Sequence, residues 1–214
     1  MTTPDSTARG KRYALLLNGA NFACEVLQNL QQSGFPPDLL VLPEYAPANA
    51  PATNPATLVQ GRPQRRLQRL AGSIPIAYAP AARQADCARL LQQRHIDFLL
   101  VACWPYLIGP EMIASVTRAA LNLHPSMLPR HRGPDPIGRQ LASGDRPFGI
   151  TLHLLNPAFD QGDIVAQSVL SDTALTPDRE SIEKLAAEQG GKLFIDAINE
   201  YDNGWHTQPQ TPPG

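Results

Sequence analysis

The feature that most constrains this chain is a regular alternation of short apolar runs with stretches of helical periodicity. Strands are expected over 12–18, 38–42, 74–78, 97–103 and 120–123. Helices are expected between them, over 22–32 and 82–94. The run 97–103 (DFLLVAC) is apolar at consecutive positions, which is typical of a parallel strand covered on both faces. The alternation predicts a single-domain α/β fold of the Rossmann-like type, with a mostly parallel sheet between two layers of helices.

The pattern changes after residue 148. Two further apolar runs, 149–155 and 163–170, are separated only by a turn, so we expect an antiparallel pair of strands near the carboxyl-terminal end. A last helix is expected over 179–201. Its adjacent Gly190 and Gly191 are expected to bend or break it, because glycine pairs are a common cause of helix kinks.

The polar ends of the chain set the expected limits of the domain. Residues 1–10 are expected to form a disordered amino-terminal tail, and 207–214 a flexible carboxyl-terminal tail. One domain would then cover 11–206. The stretch 46–57 is rich in proline, alanine and asparagine and cannot hold a regular strand ladder, because proline lacks the N–H donor. The sequence leaves open whether this stretch forms a lid.

Composition limits the cellular compartments and the partners that are expected for the chain. No apolar run approaches the roughly 18 residues of a membrane span, so no membrane partner is expected. The first residues lack the apolar core of a secretory signal, and the three cysteines are widely spaced, which indicates a cytoplasmic protein. The net charge is −1. The one basic cluster, 62–69, is typical of a helix face exposed to solvent, and the sequence leaves its function open. Nucleic acid is therefore not an expected partner.

Two polar residues mark the end of the run 120–123. Asn122 and His124 alternate along a strand, so their side chains point to the same face. Ligands of open α/β sheets bind beyond the carboxyl ends of the strands. A carboxamide there can donate to a developing oxyanion, and an imidazole can move a proton near neutral pH. The spacing alone is equally compatible with a pair that caps the strand and ties down the next loop.

A longer pattern begins at the same asparagine. From Asn122 the chain reads NLHPSMLPRHRGPDPIGRQLASGDRPFGITLHLLNPAFDQGDIV. This segment resembles the catalytic segment of the folate-dependent formyltransferases, which include phosphoribosylglycinamide formyltransferase and methionyl-tRNA formyltransferase. Their pattern is an N-x-H-P/G-S-L-L-P run, an Arg/Gly loop, a G-x-T-x-H strand and a D-x-G-x-I turn. The matching residues are Asn122, His124, Ser126, Leu128, Pro129, Gly149, Thr151, His153, Asp160, Gly162 and Ile164.

The resemblance implies a reaction and its catalytic residues. A formyl group would pass from 10-formyltetrahydrofolate to an amine through a tetrahedral intermediate. Asn122 would polarise the formyl oxygen. His124 would act as general acid–base catalyst, or would stabilise the oxyanion as an imidazolium. Asp160 would accept a proton and set the charge of His124, since a nearby carboxylate favours the cationic form.

The resemblance also implies a pocket and a supporting group. The folate would lie against a strand end and a loop, whose residues are Cys103, Trp104, Pro105, Tyr106, Leu107, Ile108, Asn156, Phe159 and Asp160. Ser126, Thr151 and His153 are expected to support the catalytic residues rather than to take part in the chemistry. His131 lies between two arginines and is expected to face solvent.

Two departures from the family pattern bear on the acceptor. The phosphoribosylglycinamide enzymes carry a G-x-G-S-N-like loop after the first strand, whereas residues 18–22 here read NGANF. The methionyl-tRNA enzymes carry an extra carboxyl-terminal domain, whereas this chain ends soon after its last expected helix. A small-molecule amine is therefore expected: a sugar amine, an amino acid or hydroxylamine, or glycinamide ribonucleotide. The oligomeric state stays open, with a dimer as one alternative.

Three other functions remain as alternatives. A dinucleotide-binding oxidoreductase would share the sheet, but GxGxxG is absent after the first expected strand. A metal-dependent hydrolase could use His124, His153, Asp160 and Asp163, although no HExxH-type spacing is present and no metal is expected. A folate-binding protein without turnover would keep the same pocket.

Overall fold

A seven-stranded sheet forms the centre of the molecule. The computed structural model describes residues 10–44, 62–80, 83–171 and 178–211. The strands are β1 (Tyr13–Leu17), β2 (Leu39–Glu44), β3 (Ile76–Pro80), β4 (Phe98–Ala102), β5 (Ala119–His124), β6 (Gly149–Leu154) and β7 (Ile164–Val169). Their order is β3-β2-β1-β4-β5-β6-β7. The strands β1 to β5 pair in parallel, which confirms the expected mostly parallel sheet.

Helices cover both faces of this sheet. They are α1 (Asn21–Gln32), α2 (Arg62–Ala71), α3 (Gln84–Gln93), α4 (Pro110–Ile113), α5 (Pro136–Ser143) and α6 (Arg179–Glu200), followed by a short 3-10 helix (Tyr201–Asn203). Alternate residues of β1 enter opposite layers, because side chains alternate across a strand. Leu15 packs in the core that contains α1 and α6, and Leu16 packs in the core that contains α3 and α4. None of the described helices is long and apolar enough to cross a membrane.

The antiparallel end of the sheet agrees with the sequence analysis. Strand β6 pairs antiparallel with both β5 and β7. In this register Asn122 lies opposite His153, and His124 lies opposite Thr151. The sheet therefore brings two polar pairs from the motif together at one place. The stretch 46–57, where a lid was considered, lies outside the described residues.

Helix α6 departs from its expected break. It runs without interruption through Gly190 and Gly191. A Cβ added at Gly190 would lie 3.2 Å from Leu123 Cδ2 and 3.3 Å from Ile150 Cγ1, so the missing side chain lets the helix pack closely on β5 and β6. The glycine pair serves packing here, and the expected break does not occur.

The carboxyl-terminal segment also departs from its expectation as a flexible tail. Gln208 forms an isolated antiparallel bridge with Ile164 at the end of β7. The side chain of Gln210 accepts hydrogen bonds from Arg132 and donates one to the carbonyl of Gly162 at 2.7 Å. The polar composition of 207–214 does not predict these contacts, because Ile164, Gly162 and Arg132 are distant in the sequence.

Candidate active site

The site forms where strands β4 and β5 end at the same edge of the sheet. Strand β5 contributes Asn122 and His124, and β6 contributes His153 opposite Asn122. The loop after β6 brings Asp160 back to the same place. The Asp160 Oδ1 atom is 3.3 Å from Asn122 Nδ2 and 3.4 Å from His124 Nδ1. The three residues that the resemblance names as catalytic therefore converge around one carboxylate oxygen.

The carboxamide of Asn122 is oriented by two acceptors. Its Nδ2 is 3.0 Å from His153 Nε2 and 3.3 Å from Asp160 Oδ1. An ionised carboxylate only accepts hydrogen bonds, so the nitrogen of the amide must be the atom that faces Asp160. Both N–H groups are thus in use in this structure. Donation to a bound carbonyl oxygen would require one of these hydrogen bonds, most readily the longer one to Asp160, to be exchanged.

The imidazole of His124 has its two nitrogens in different environments. The Nε2 atom is 2.9 Å from the carbonyl oxygen of His131, and because a carbonyl only accepts, Nε2 carries a hydrogen. The side chain of His124 is 6% exposed. Burial lowers the pKa of His124 below 6.5, although the Asp160 carboxylate opposes this shift. Near neutral pH the ring is therefore uncharged, with an unprotonated Nδ1 that faces Asp160.

This charge state corrects one expectation from the sequence. The carboxylate of Asp160 was expected to hold His124 in its cationic form, and desolvation outweighs it. In the resting site, His124 is therefore not an imidazolium that could stabilise the oxyanion from the start of the reaction. A neutral ring that can accept a proton at Nδ1 is consistent with the geometry.

Asp160 is held in place by its loop. Its backbone is left-handed, with φ of 53°, a conformation that aspartate tolerates better than most residues. The Gly133 N–H donates to Oδ2 at 2.8 Å. Burial alone would raise the pKa of Asp160, but the polar groups around its carboxylate, among them the Gly133 N–H, outweigh it and keep that pKa below its ordinary value. Asp160 is therefore ionised near neutral pH.

Gly162 shapes the same loop. A Cβ at this position would lie 1.7 Å from the carbonyl oxygen of Leu154, which is a backbone atom that cannot rotate away. The glycine of the D-x-G-x-I turn is thus required by the close approach of two backbone segments. This approach fixes the return of the chain that carries Asp160.

His153 acts on Asn122 rather than on the cavity. It is 1% exposed, and its Nδ1 donates to the carbonyl of Leu154 at 2.8 Å. This hydrogen bond leaves Nε2 as the acceptor for the amide of Asn122. The supporting role expected for His153 fits this arrangement.

Thr151 and Ser126 hold the loop that follows β5. The hydroxyl of Thr151 donates to the carbonyl of Ser126 at 2.6 Å and accepts from the backbone N–H of Leu128 at 3.1 Å. The hydroxyl of Ser126 donates to the carbonyl of Arg130 at 2.8 Å. Both side chains are fully buried and neither lines the cavity. Their position is that of supporting residues.

A cavity of about 660 Å³ opens beside the three polar side chains, within the size range of ligand sites. All nine residues that the resemblance assigns to the folate pocket line it, together with Asn122 and His124. The indole N–H of Trp104 is buried and has no hydrogen-bond partner in the part of the chain that the structure describes. Leu107 and Phe159 expose apolar surface at 43% and 56%. Apolar walls and an unpaired donor fit a planar heterocycle with hydrogen-bond acceptors, as in a folate.

Cys103 lies in the wall of this cavity and its thiol is not reactive. Burial raises the pKa of Cys103 to about 12. The thiolate is the nucleophilic form, so this side chain takes no part in the chemistry at neutral pH. Its left-handed backbone, with φ of 58°, turns the chain out of β4.

The sequence analysis missed a group of polar residues in the cavity lining, which we call the polar end. This group includes Asn18, Asp135, Arg179 and Glu183. The Arg179 guanidinium donates from Nε to Glu183 at 2.8 Å and from Nη2 to Asp135 at 2.7 Å. The spacing of Arg179 and Glu183 on one helix face reads as an ordinary surface ion pair, so no sequence signal marked this end.

His131 is the second correction at this site. It was expected to face solvent, whereas its side chain is 13% exposed and its Nε2 is 2.9 Å from Asp145 Oδ2. Its backbone carbonyl is the partner of His124. A sequence motif cannot reveal a function carried by a backbone oxygen.

The residues considered for a metal-dependent hydrolase do not form a ligand group. Among the described residues, no three His, Cys, Asp or Glu side chains lie where they could hold a metal ion together. The Nε2 of His124 and the Nδ1 of His153 both donate to carbonyl oxygens.

Comparisons with known proteins agree with the motif. The family profile described as formyl transferase matches residues 43–198. A methionyl-tRNA formyltransferase of Burkholderia ambifaria (strain MC40-6) is 28% identical over 206 residues, which are 90% of this chain and 60% of that protein. The chain thus spans about 60% of the length of this curated relative, and a second relative from Paraburkholderia phymatum gives 29% identity over 85% of the chain and 56% of its own length.

Solved structures show the same fold. The crystal structure of phosphoribosylglycinamide formyltransferase from Bacillus halodurans superposes with a TM-score of 0.67 at 20% identity, over 91% of this chain and 99% of the other. A sugar N-formyltransferase from Shewanella sp FDAARGOS_354 gives a TM-score of 0.61 at 16% identity, over 95% of this chain and 75% of the other.

Proposed function

We propose that this chain, which belongs to the formyl transferase family, transfers a formyl group from 10-formyltetrahydrofolate to a small-molecule amine, with residues 11–206 as the catalytic domain. The observation that carries the proposal is the convergence of Asn122, His124 and Asp160 in the lining of a cavity of about 660 Å³. An amide donor, an uncharged imidazole and an ionised carboxylate are the groups that acyl transfer to an amine needs.

The donor supplies an activated formyl carbon, and the chain supplies binding and proton transfer. Asn122 donates a hydrogen bond to the formyl oxygen in place of its 3.3 Å contact with Asp160. The acceptor amine forms a bond to the formyl carbon and becomes positively charged. His124 takes the excess proton at Nδ1, and Asp160, 3.4 Å away, stabilises the imidazolium that results. The nitrogen of the donor that releases the carbon takes up one proton, so the formyl group and a proton change places.

The donor would occupy the apolar end of the cavity. Trp104, Leu107 and Phe159 all contribute apolar surface to the lining of the cavity. The buried indole N–H of Trp104, which has no partner among the described residues, would donate to a polar atom of the folate.

The acceptor would occupy the polar end. We expect a sugar amine, an amino acid or hydroxylamine, or glycinamide ribonucleotide. The charge distribution supports the first of these, because Arg179 is already paired with Asp135 and Glu183. A phosphate group there would face two carboxylates beside one cation, whereas hydroxyl groups could donate to those carboxylates. The sugar N-formyltransferase of Shewanella shares the fold.

The test is turnover of 10-formyltetrahydrofolate with a panel of amines of the three kinds. We expect Asn122→Ala, His124→Ala and Asp160→Asn each to reduce turnover at least about tenfold, and loss of the oxyanion donor to cost about 10²–10³. Matched control variants are Asn199→Ala, His206→Ala and Asp196→Asn, whose side chains are exposed and lie outside the cavity. Circular dichroism would show that all six variants fold.

The same experiment separates an enzyme from a folate-binding protein without turnover. A wild-type protein that binds a folate analogue in a calorimetric titration and leaves formyl-folate unchanged with every amine would support the binding protein. Near-full activity of all three site variants would contradict the proposed site.

A further inference from the structure

The backbone of one short loop contacts two of the catalytic residues. The carbonyl of His131 accepts from His124 Nε2 at 2.9 Å, and the N–H of Gly133 donates to Asp160 Oδ2 at 2.8 Å. Two of the three residues of this loop, His131 and Gly133, have left-handed backbones, with φ of 59° and 87°. For a histidine this conformation is uncommon and persists only where surrounding contacts hold it.

One side chain from a neighbouring helix contacts the same loop. Arg139, on α5, donates from Nη2 to the carbonyl of His131 at 2.8 Å and also donates to the carbonyl of Arg132. The carbonyl of His131 thus accepts from Arg139 and from His124 together. A charged donor makes a stronger hydrogen bond than a neutral one, so the hydrogen bond from Arg139 restrains this oxygen more than the hydrogen bond from His124.

We propose that Arg139 is a positioning residue, which holds the His131–Gly133 loop so that its carbonyl keeps the hydrogen of His124 on Nε2 and leaves Nδ1 free to accept a proton. The ring of His124 can carry its hydrogen on either nitrogen, and the partner of the other nitrogen decides between them. Without a fixed carbonyl at Nε2, the hydrogen can move to Nδ1 and donate to Asp160, and the proton acceptor is lost. The importance for catalysis rests on the proposed function, whereas the effect on the ring does not.

The charges around His124 separate two effects of Arg139. Asp160 from the loop after β6 raises the pKa of His124, while His153 from β6 and Arg139 from α5 lower it. The charge of Arg139 is exposed, so water screens much of its effect on the ring. Lysine keeps the charge, but its shorter side chain does not place a donor at the position of Nη2, the one nitrogen that contacts both carbonyls.

The experiment compares Arg139→Gln and Arg139→Lys with wild type by ¹⁵N NMR of the histidine rings in the whole protein. In wild type we expect an unprotonated Nδ1 and a protonated Nε2 on His124 at pH 7. In both variants we expect a mixture of the two tautomers. We also expect the Nε2 hydrogen to exchange with water at least about tenfold faster, because the loop that accepts its hydrogen bond is no longer restrained by Arg139. Because Arg139→Lys keeps the charge, a tautomer change that both variants share follows from the lost hydrogen bonds and not from the lost charge.

Enzyme kinetics provide a second readout. We expect kcat to fall about tenfold in both Arg139 variants while the KM for the formyl donor changes less than about twofold, because the ring and not the cavity is disturbed. The matched control is Arg89→Gln, on α3 and outside the cavity lining, whose guanidinium pairs with the carboxylate of Asp86 instead. This control should leave the ring signals and kcat unchanged.

The outcomes distinguish this proposal from the proposed function. His124 signals identical to wild type in folded Arg139→Gln and Arg139→Lys would overturn the positioning role, whatever the activity. An altered tautomer in a protein that turns over no amine would support the positioning role and count against the proposed function alone. If Arg139→Gln does not fold, Arg139→Lys carries the tautomer test by itself.

Discussion

Replacement of Thr151 by valine tests how much of the stability of the site region depends on one hydroxyl. The side chain of Thr151 is fully buried between the loop after β5 and strand β7. Its Oγ1 donates to the carbonyl of Ser126 at 2.6 Å and accepts from the N–H of Leu128 at 3.1 Å and from Gln167 Nε2 at 2.8 Å. Valine has the same shape and none of these contacts.

The size of the effect follows from these three hydrogen bonds. Each contributes about 1 kcal/mol net, and a buried partner left without a hydrogen bond costs about 1–3 kcal/mol. Gln167 keeps a second acceptor, the carbonyl of Leu128 at 2.9 Å, so its loss is smaller. We therefore expect Thr151→Val to lower the free energy of unfolding by about 2–4 kcal/mol, a large part of the 5–15 kcal/mol that is usual for a domain.

The assay is urea unfolding followed by circular dichroism, with Thr151→Ser as the matched control. Serine keeps the hydroxyl and loses one methyl group, which should cost about 1 kcal/mol. Unchanged m-values would show that the unfolded states are comparable. If Thr151→Val and Thr151→Ser have the same stability within about 0.5 kcal/mol, the hydroxyl network is not what holds this loop.

Two further predictions concern the charge and the shape of the site. The neutral ring of His124 is the proton acceptor and its pKa lies below 6.5, so kcat/KM should fall only as the pH drops below that value. Asp160→Asn removes the charge that raises this pKa, so the residual acidic limb should move to lower pH; a limb that moves to higher pH would contradict the assignment. Gly162→Ala would bring a Cβ to 1.7 Å from the carbonyl of Leu154, so we expect a lower thermal midpoint and at least about tenfold loss of turnover, measured by calorimetry and the same assay. A Gly162→Ala protein as stable and active as wild type would show that the turn tolerates a side chain.

The sheet could be predicted from local sequence patterns, because strands that are buried on both faces form continuous apolar runs. The strands at 97–103 and 120–123 lie within two residues of β4 and β5. The third strand begins at Ile76 rather than 74, because Pro75 has no N–H for the ladder and contributes only its carbonyl, which Leu40 uses. Where local patterns gave a wrong prediction, as for the expected break in α6, contacts between distant residues determine the structure. Gly190 fits against Leu123 and Ile150, which no window of sequence around the helix contains.

The candidate site was predictable as a set of residues and not as a set of protonation states. Asn122, His124 and Asp160 came from the motif, and the structure brings Asn122 and His124 to 3.3 Å and 3.4 Å from the same carboxylate oxygen of Asp160. The motif could not assign the charge of His124, because the result depends on how completely the ring is desolvated. It also could not reveal Arg139, whose contacts are with backbone carbonyls that any residues could supply.

The two histidines of the site show why the backbone has to be included in the mechanism. His124 donates from Nε2 to the carbonyl of His131, and His153 donates from Nδ1 to the carbonyl of Leu154. The same side chain is thus held in opposite tautomers, and the free nitrogens differ: Nδ1 of His124 faces Asp160, while Nε2 of His153 accepts from Asn122. The ring of His124 can therefore accept a proton, whereas the ring of His153 orients the amide of Asn122. Exchanging the two carbonyl partners would exchange these abilities without changing a single residue of the motif, so the division of roles is a property of the loops that supply the carbonyls.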